Sequence, residues 1–132
     1  MEAAYPLYGH EIDDRTTPPE AGLSWIVKME KGEFIGREAL RTATPPRKRL
    51  VGLEVKEGGI PRQGYPVFLG DEEIGRITSG TYSPWFEKGI AIASVREPLT
   101  KETLQEKRIS IEIRGKKREG VLTPLPFYKR TA

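Results

Sequence analysis

From Lys48 onward, apolar residues recur at every second position in short runs, and glycine or proline breaks each run within a few residues. Val51, Leu53 and Val55 form one such stripe, with Leu50, Gly52 and Glu54 on the opposite face, and Gly58-Gly59 ends it. A period of two is the repeat of a strand with one buried face. Tyr65–Leu69 and Glu73–Thr78 flank Gly70-Asp71 in a hairpin pattern. Ser83–Phe86 reads as a turn, and Gly89–Val95 is apolar almost throughout, which predicts a strand buried on both faces. Leu99–Lys107 has room for a short helix after Pro98, and Arg108–Ile113 pairs with Glu119–Leu122 across Gly115. About six short strands without long helices between them predict a mainly β fold. The expected form is an antiparallel sandwich or small barrel with Greek-key-like connections.

Composition agrees and narrows the chemistry. Fourteen Gly and eleven Pro in 132 residues are too many for a helical bundle. The absence of cysteine excludes a disulfide framework and thiolate metal sites. A single histidine, His10, gives no basis for a histidine-rich metal centre or a His-dependent triad. No run approaches membrane-spanning length and no charged-then-apolar leader opens the chain, so a cytoplasmic protein is expected. The net charge of +3 is uneven: residues 1–46 sum to 5 − 8 = −3 and residues 47–132 to 17 − 11 = +6. Such a basic half attracts nucleic acid, an acidic protein or an anionic cofactor tail, unless it is simply a solvated strand surface. The clusters Arg47-Lys48-Arg49 and Lys116-Lys117-Arg118 lack interleaved aromatics, unlike a base-stacking platform. Neither nucleic acid nor membrane is expected as a partner.

The first 46 residues read differently. Thr17-Pro18-Pro19-Glu20 predicts a helical turn with a Thr cap, Ser24–Met29 a short strand, and Gly36–Arg41 a short helix entered through Phe34 and Ile35. Thr42-Ala43-Thr44-Pro45-Pro46 is a linker signal, which sets the expected domain boundary at 1–46 and 47–132. The motif-rich stretch Pro6–Asp13 lies close to the start, where a chain beginning in mid-fold would have it. Glu11, Asp13 and Asp14 could bind a cation or work as acid and base, but lack calcium-loop spacing, and loop acids more often orient a turn. His10 has no nucleophile in a strained turn to serve, so a hydrogen-bonded structural role is expected. Gly32, Gly36, Gly58 and Gly59 form no phosphate loop, and Thr78–Pro84 is expected to be a turn that satisfies its own backbone.

Five segments, taken in order, resemble the glycine cleavage system T-protein family. They are Leu7-Tyr8-Gly9-His10-Glu11-Ile12-Asp13; Thr16–Trp25; Phe34-Ile35-Gly36-Arg37-Glu38-Ala39-Leu40; Gly59–Val67 with Ile74–Pro84; and Leu125-Pro126-Phe127-Tyr128-Lys129-Arg130. Dimethylglycine and sarcosine dehydrogenases carry a similar C-terminal region. The resemblance covers about the last third of a T-protein. It implies that residues 1–46 are the tail end of a folate-binding region and 47–132 the family's C-terminal barrel. It further implies tetrahydrofolate-dependent aminomethyl transfer from the lipoyl arm of the H-protein. The family's catalytic aspartate and pterin-holding glutamate have no counterpart here, so no catalytic residue is assigned and the chain alone is expected to be inactive. Tyr8 resembles a tyrosine lining the folate cavity, and Arg130 a terminal arginine near the folate tail. The implied partners are an N-terminal T-protein region on a separate chain, a lipoylated H-protein, and a second copy packed through residues 1–46. A non-catalytic module docking an acidic partner, or an inactive remnant, are the competing expectations.

Overall fold

The computed structural model describes residues 1–43 and 45–129. Six strands form a closed ring: β1 (Lys48–Val55), β2 (Pro66–Leu69), β3 (Glu72–Ser83), β4 (Lys88–Arg96), β5 (Ile109–Ile113) and β6 (Lys116–Thr123). Their order around the barrel is β1-β4-β3-β2-β5-β6, and β6 pairs back onto β1. Every neighbouring pair is antiparallel. β2, β3 and β4 are successive neighbours and β5 returns beside β2, which is a Greek-key arrangement. The expected mainly β antiparallel barrel is the observed one.

Alternation puts one face of each strand inside. Val51, Leu53 and Val55 of β1 meet Val67 and Leu69 of β2, Ile74 and Ile77 of β3, and Ile109, Ile111 and Ile113 of β5 in one core. Each fully buried Leu, Ile or Val contributes about 1.5–3 kcal/mol relative to exposure. β4 lends its small residues Ala91 and Ala93, with Val95, to the same core. Ile90 and Ile92 lie on its other face and are buried just as completely, which is why the run reads as continuously apolar. Arg114 and Gly115 join β5 to β6 with φ of 51° and 76°, the left-handed pair a two-residue hairpin turn requires. Gly80 is needed for proximity instead: a Cβ there would lie 2.6 Å from the Pro61 carbonyl oxygen.

Two short helices stand where they were expected, α1 (Arg37–Thr42) and α2 (Lys101–Glu106). α2 starts from a reciprocal cap in which the Thr103 amide donates to Thr100 Oγ1 and the Thr100 amide donates to Thr103 Oγ1. Residues 17–23 form the expected helical turn, but Glu20 rather than Thr17 caps it: Glu20 Oε2 accepts from both the amide and the hydroxyl of Thr17.

Two local expectations fail. Ser24–Met29 is not a strand; 3-10 turns occupy Ser24–Ile26 and Met29–Lys31. A closed barrel has no free edge for another strand to join, so the apolar run remains unpaired. Thr78–Pro84 is not a turn up to its last residue, because Thr78–Ser83 completes the twelve-residue β3. The long β4 supplies a ladder partner for those polar residues, and that pairing overrides their turn preference. No helix among the described residues is long and apolar enough to cross a membrane.

Candidate functional site

Residues 7–12 fold into a compact loop held onto β3. The amides of His10 and Glu11 donate to the Leu7 carbonyl at 3.1 and 3.0 Å, and the Gly9 amide donates to the Ile12 carbonyl at 2.8 Å. Glu11 is buried beneath the loop, where Oε2 accepts from the Leu7 amide at 3.0 Å. Its other oxygen, Oε1, is buried without a hydrogen-bond partner among the described residues.

His10 ties this loop to the barrel. Its Nδ1 lies 2.8 Å from the Thr78 carbonyl oxygen, which can only accept, so Nδ1 carries the proton. Ser79 Oγ is 3.3 Å from the same nitrogen. A β-bulge frees that carbonyl: Ile77 pairs with Ala93 and Ser79 with Ile92, leaving Thr78 as the extra residue. Gln63 Nε2 adds a bond to the Gly9 carbonyl at 3.3 Å. His10 therefore has the expected hydrogen-bonded structural role.

A second tether lies at the other end of β3. Buried Ser83 donates from Oγ to Glu2 Oε1 at 2.6 Å and accepts the Phe86 amide at 3.3 Å. The Tyr128 amide donates to the Glu2 carbonyl at 3.0 Å, and the Tyr128 ring meets Trp85 edge-on with centroids 5.3 Å apart. The Ser83 hydroxyl is the main influence holding the Glu2 carboxyl below the ordinary glutamate range. Neither Thr78 nor the Glu2–Ser83 pair was visible in the sequence, because each depends on strand register.

Tyr8 sits on the outer surface of the His10 loop and is 74% exposed, beside Leu7 in sequence and near Tyr5, which is 85% exposed. Trp25, Ile26 and Ile35 are exposed as well. Arg130, the other folate candidate, lies outside the described residues. The three acids separate: Glu11 is buried, whereas Asp13 Oδ1 accepts from the Thr16 hydroxyl at 2.6 Å and the Arg15 amide at 2.9 Å. Those two bonds, Thr16 first, hold the Asp13 carboxyl below the ordinary aspartate range. They give Asp13 the turn-orienting role. A cavity of about 750 Å³ lies between residues 15–29, α1 and residues 45–47, with Arg15, Glu20, Met29, Leu40 and Arg47 in its wall.

A family model described as the glycine cleavage T-protein C-terminal barrel domain matches residues 48–129. That range begins with β1 and runs six residues past β6. The chain belongs to this T-protein family. It is similar to the aminomethyltransferase of Thermus thermophilus, 47% identical over 127 residues that cover 96% of this chain and 34% of that one. The aminomethyltransferase of Prochlorococcus marinus is 44% identical over 133 residues, covering 98% and 35% respectively. The crystal structure of aminomethyltransferase T from Bartonella henselae superposes with a TM-score of 0.78 at 31% identity, covering 96% of this chain and 36% of that one. The chain thus spans about a third of the length of the relatives it matches. The resemblance carried by the five segments is borne out, and it extends through residues 1–46 as well as the barrel.

Proposed function

We propose that this chain serves as part of a tetrahydrofolate-dependent aminomethyltransferase of the glycine cleavage system, acting in the cytoplasm. In this reading residues 1–46 are the end of the folate-binding region and residues 47–132 the barrel domain. The chemistry is supplied by the family's N-terminal region, which receives the aminomethyl group from the lipoyl arm of the H-protein.

The observation that carries the reading is the exposed apolar surface of the family segment before the barrel. Tyr5, Leu7, Tyr8, Trp25, Ile26 and Ile35 lie open on a segment that contributes only Ala21 to the buried apolar residues among those described. Apolar side chains concentrated on so short a stretch mark an interaction surface. Tyr8 lies on that surface, held in place through His10 and Thr78, and would become a wall of the folate cavity once the surface is covered. Arg130 would pair its planar guanidinium with the glutamate carboxylates of folate.

Calorimetric titration of tetrahydrofolate tests this, with and without a separately expressed N-terminal T-protein region. Binding is expected only when both chains are present, with Tyr8→Ala weakening it. Equal binding by the chain alone would overturn the shared cavity, and no binding in either case would leave a non-catalytic module.

A further inference from the structure

The cavity between residues 15–29, α1 and residues 45–47 is sorted by polarity. Val27, Met29 and Leu40 in its wall are half-buried, whereas Arg15, Arg41 and Arg47 are exposed. The aliphatic side chains thus lie deeper and the guanidinium groups nearer the rim. None of the described wall residues is aromatic. Its volume of about 750 Å³ falls in the range of small-molecule pockets, roughly 300–1,000 Å³.

Local structure explains why arginines so far apart in sequence meet here. Asp13 Oδ1 accepts the Arg15 amide at 2.9 Å and so orients that turn. Arg41 lies in the last turn of α1, and Arg37 ties the same helix to the wall by donating from Nε to the Met29 carbonyl at 3.0 Å. The Arg47 carbonyl accepts the Glu97 amide at 2.8 Å, which fixes this residue against the end of β4. The wall carries 3 − 1 = +2, since Glu20 is its one acid among the described residues. Oε2 of Glu20 already accepts both donors of Thr17. Arg41 meets Glu38 at 3.3 Å and Arg15 approaches Asp14 only to 4.0 Å, all four side chains being well exposed. Exposed pairs of this kind are worth little, so these guanidinium groups can turn to a better-placed anion.

We propose that this cavity binds a small aliphatic carboxylate, with its hydrocarbon body against Val27, Met29 and Leu40 and its carboxylate at the arginine rim. The planar guanidinium fork takes a carboxylate through paired, charge-assisted bonds, and the aliphatic wall removes methylene groups from water. An aromatic ligand finds no ring in the wall to pair with. A protein segment fits less well, because the exposed Trp25, Ile26 and Ile35 that suit a protein surface lie outside the wall. The proposal does not rest on folate binding, since the loop that carries Tyr8 contributes nothing to the wall.

Calorimetric titration of octanoate into the full chain tests it. Saturable one-to-one binding is expected. Acetate lacks the hydrocarbon body and 1-octanol lacks the charge, so each should bind at least roughly tenfold more weakly. Arg15→Gln/Arg47→Gln should weaken octanoate roughly tenfold, and both positions are exposed, so the melting temperature should hold. The Lys101→Gln/Lys107→Gln pair removes equal charge outside the cavity and should change affinity less than about twofold. Absence of saturable binding, equal binding of 1-octanol, or equal loss in the two variant pairs would overturn the proposal. Loss of octanoate binding on addition of the N-terminal T-protein region would also overturn it, in favour of a cavity which that region fills.

Discussion

The barrel and the segment before it are built on opposite terms. Within the barrel, every strand has two ladder neighbours and the inner faces share one apolar core. The segment reaches the barrel through hydrogen bonds, from Glu2 to Ser83, His10 to Thr78, Gly9 to Gln63 and Thr16 to Lys48. Its 3-10 turns and α1 are three to six residues long and bury no residue, far below the length at which a helix is stable alone. Covalent continuity has thus joined a self-sufficient unit to one that is positioned by it. Polar contacts fix where the segment lies, and Tyr5, Leu7, Tyr8, Trp25, Ile26 and Ile35 stay exposed on it.

Mutations should separate the two regions sharply. Leu53→Ala removes a side chain that is fully buried in the barrel core, and about 2–5 kcal/mol of stability should be lost in urea denaturation. Trp25→Ala, at a position 71% exposed, should shift the same transition by no more than about 0.5 kcal/mol. An equal cost for both would break the comparison and make the segment part of the folding unit. With the N-terminal T-protein region present the ranking should change, and Trp25→Ala should weaken association of the two chains.

Gly80→Ala comes next. The new Cβ would press on the Pro61 carbonyl, a backbone atom with little freedom to yield, and the expected cost is about 1–3 kcal/mol in the same assay. His10→Ala should cost only about 1 kcal/mol, the net worth of one hydrogen bond, and should do so locally. Hydrogen exchange should accelerate at residues 7–12 and remain unchanged in β1, β4 and β5. Uniform acceleration across the barrel would show that the tether stabilises more than the loop.

The same contrast explains what could be read from the sequence. Val51, Leu53 and Val55, or Ile109, Ile111 and Ile113, announce strands because burial on one face imposes a period of two on nearby residues. Ser24–Met29 carries no such constraint: none of the residues in its 3-10 turns is buried, so their apolar pattern mimics a strand without forming one. Thr78 was illegible for a related reason. Its exposed carbonyl follows from a register shift between β3 and β4, and register joins residues far apart in sequence. Tyr8 could be singled out through family resemblance, whereas the tether that holds its loop was recognisable only from the His10 side.

Acid should divide the two regions as well, with the smallest effect of the set. The carboxyls of Glu2 and Glu119 are both held below the ordinary glutamate value of 4.5, chiefly by Ser83 and Lys56 respectively. A depressed folded-state value means that each contact stabilises fully above that pH and is lost as pH falls through the lowered value. The Glu2 contact is what draws the start of the chain to Ser83 and Tyr128, whereas the Glu119 ion pair lies on a barrel already closed by its ladders. As pH falls through the lowered Glu2 value, the amide signals of Phe86 and Tyr128 should therefore shift while those of β1 and β4 hold their positions. Glu2→Gln keeps an acceptor for Ser83 without the charge, so it should abolish the Phe86 and Tyr128 shifts in that range. Shifts that persist in Glu2→Gln would assign the acid sensitivity to the barrel, and the segment would no longer be the more easily detached of the two.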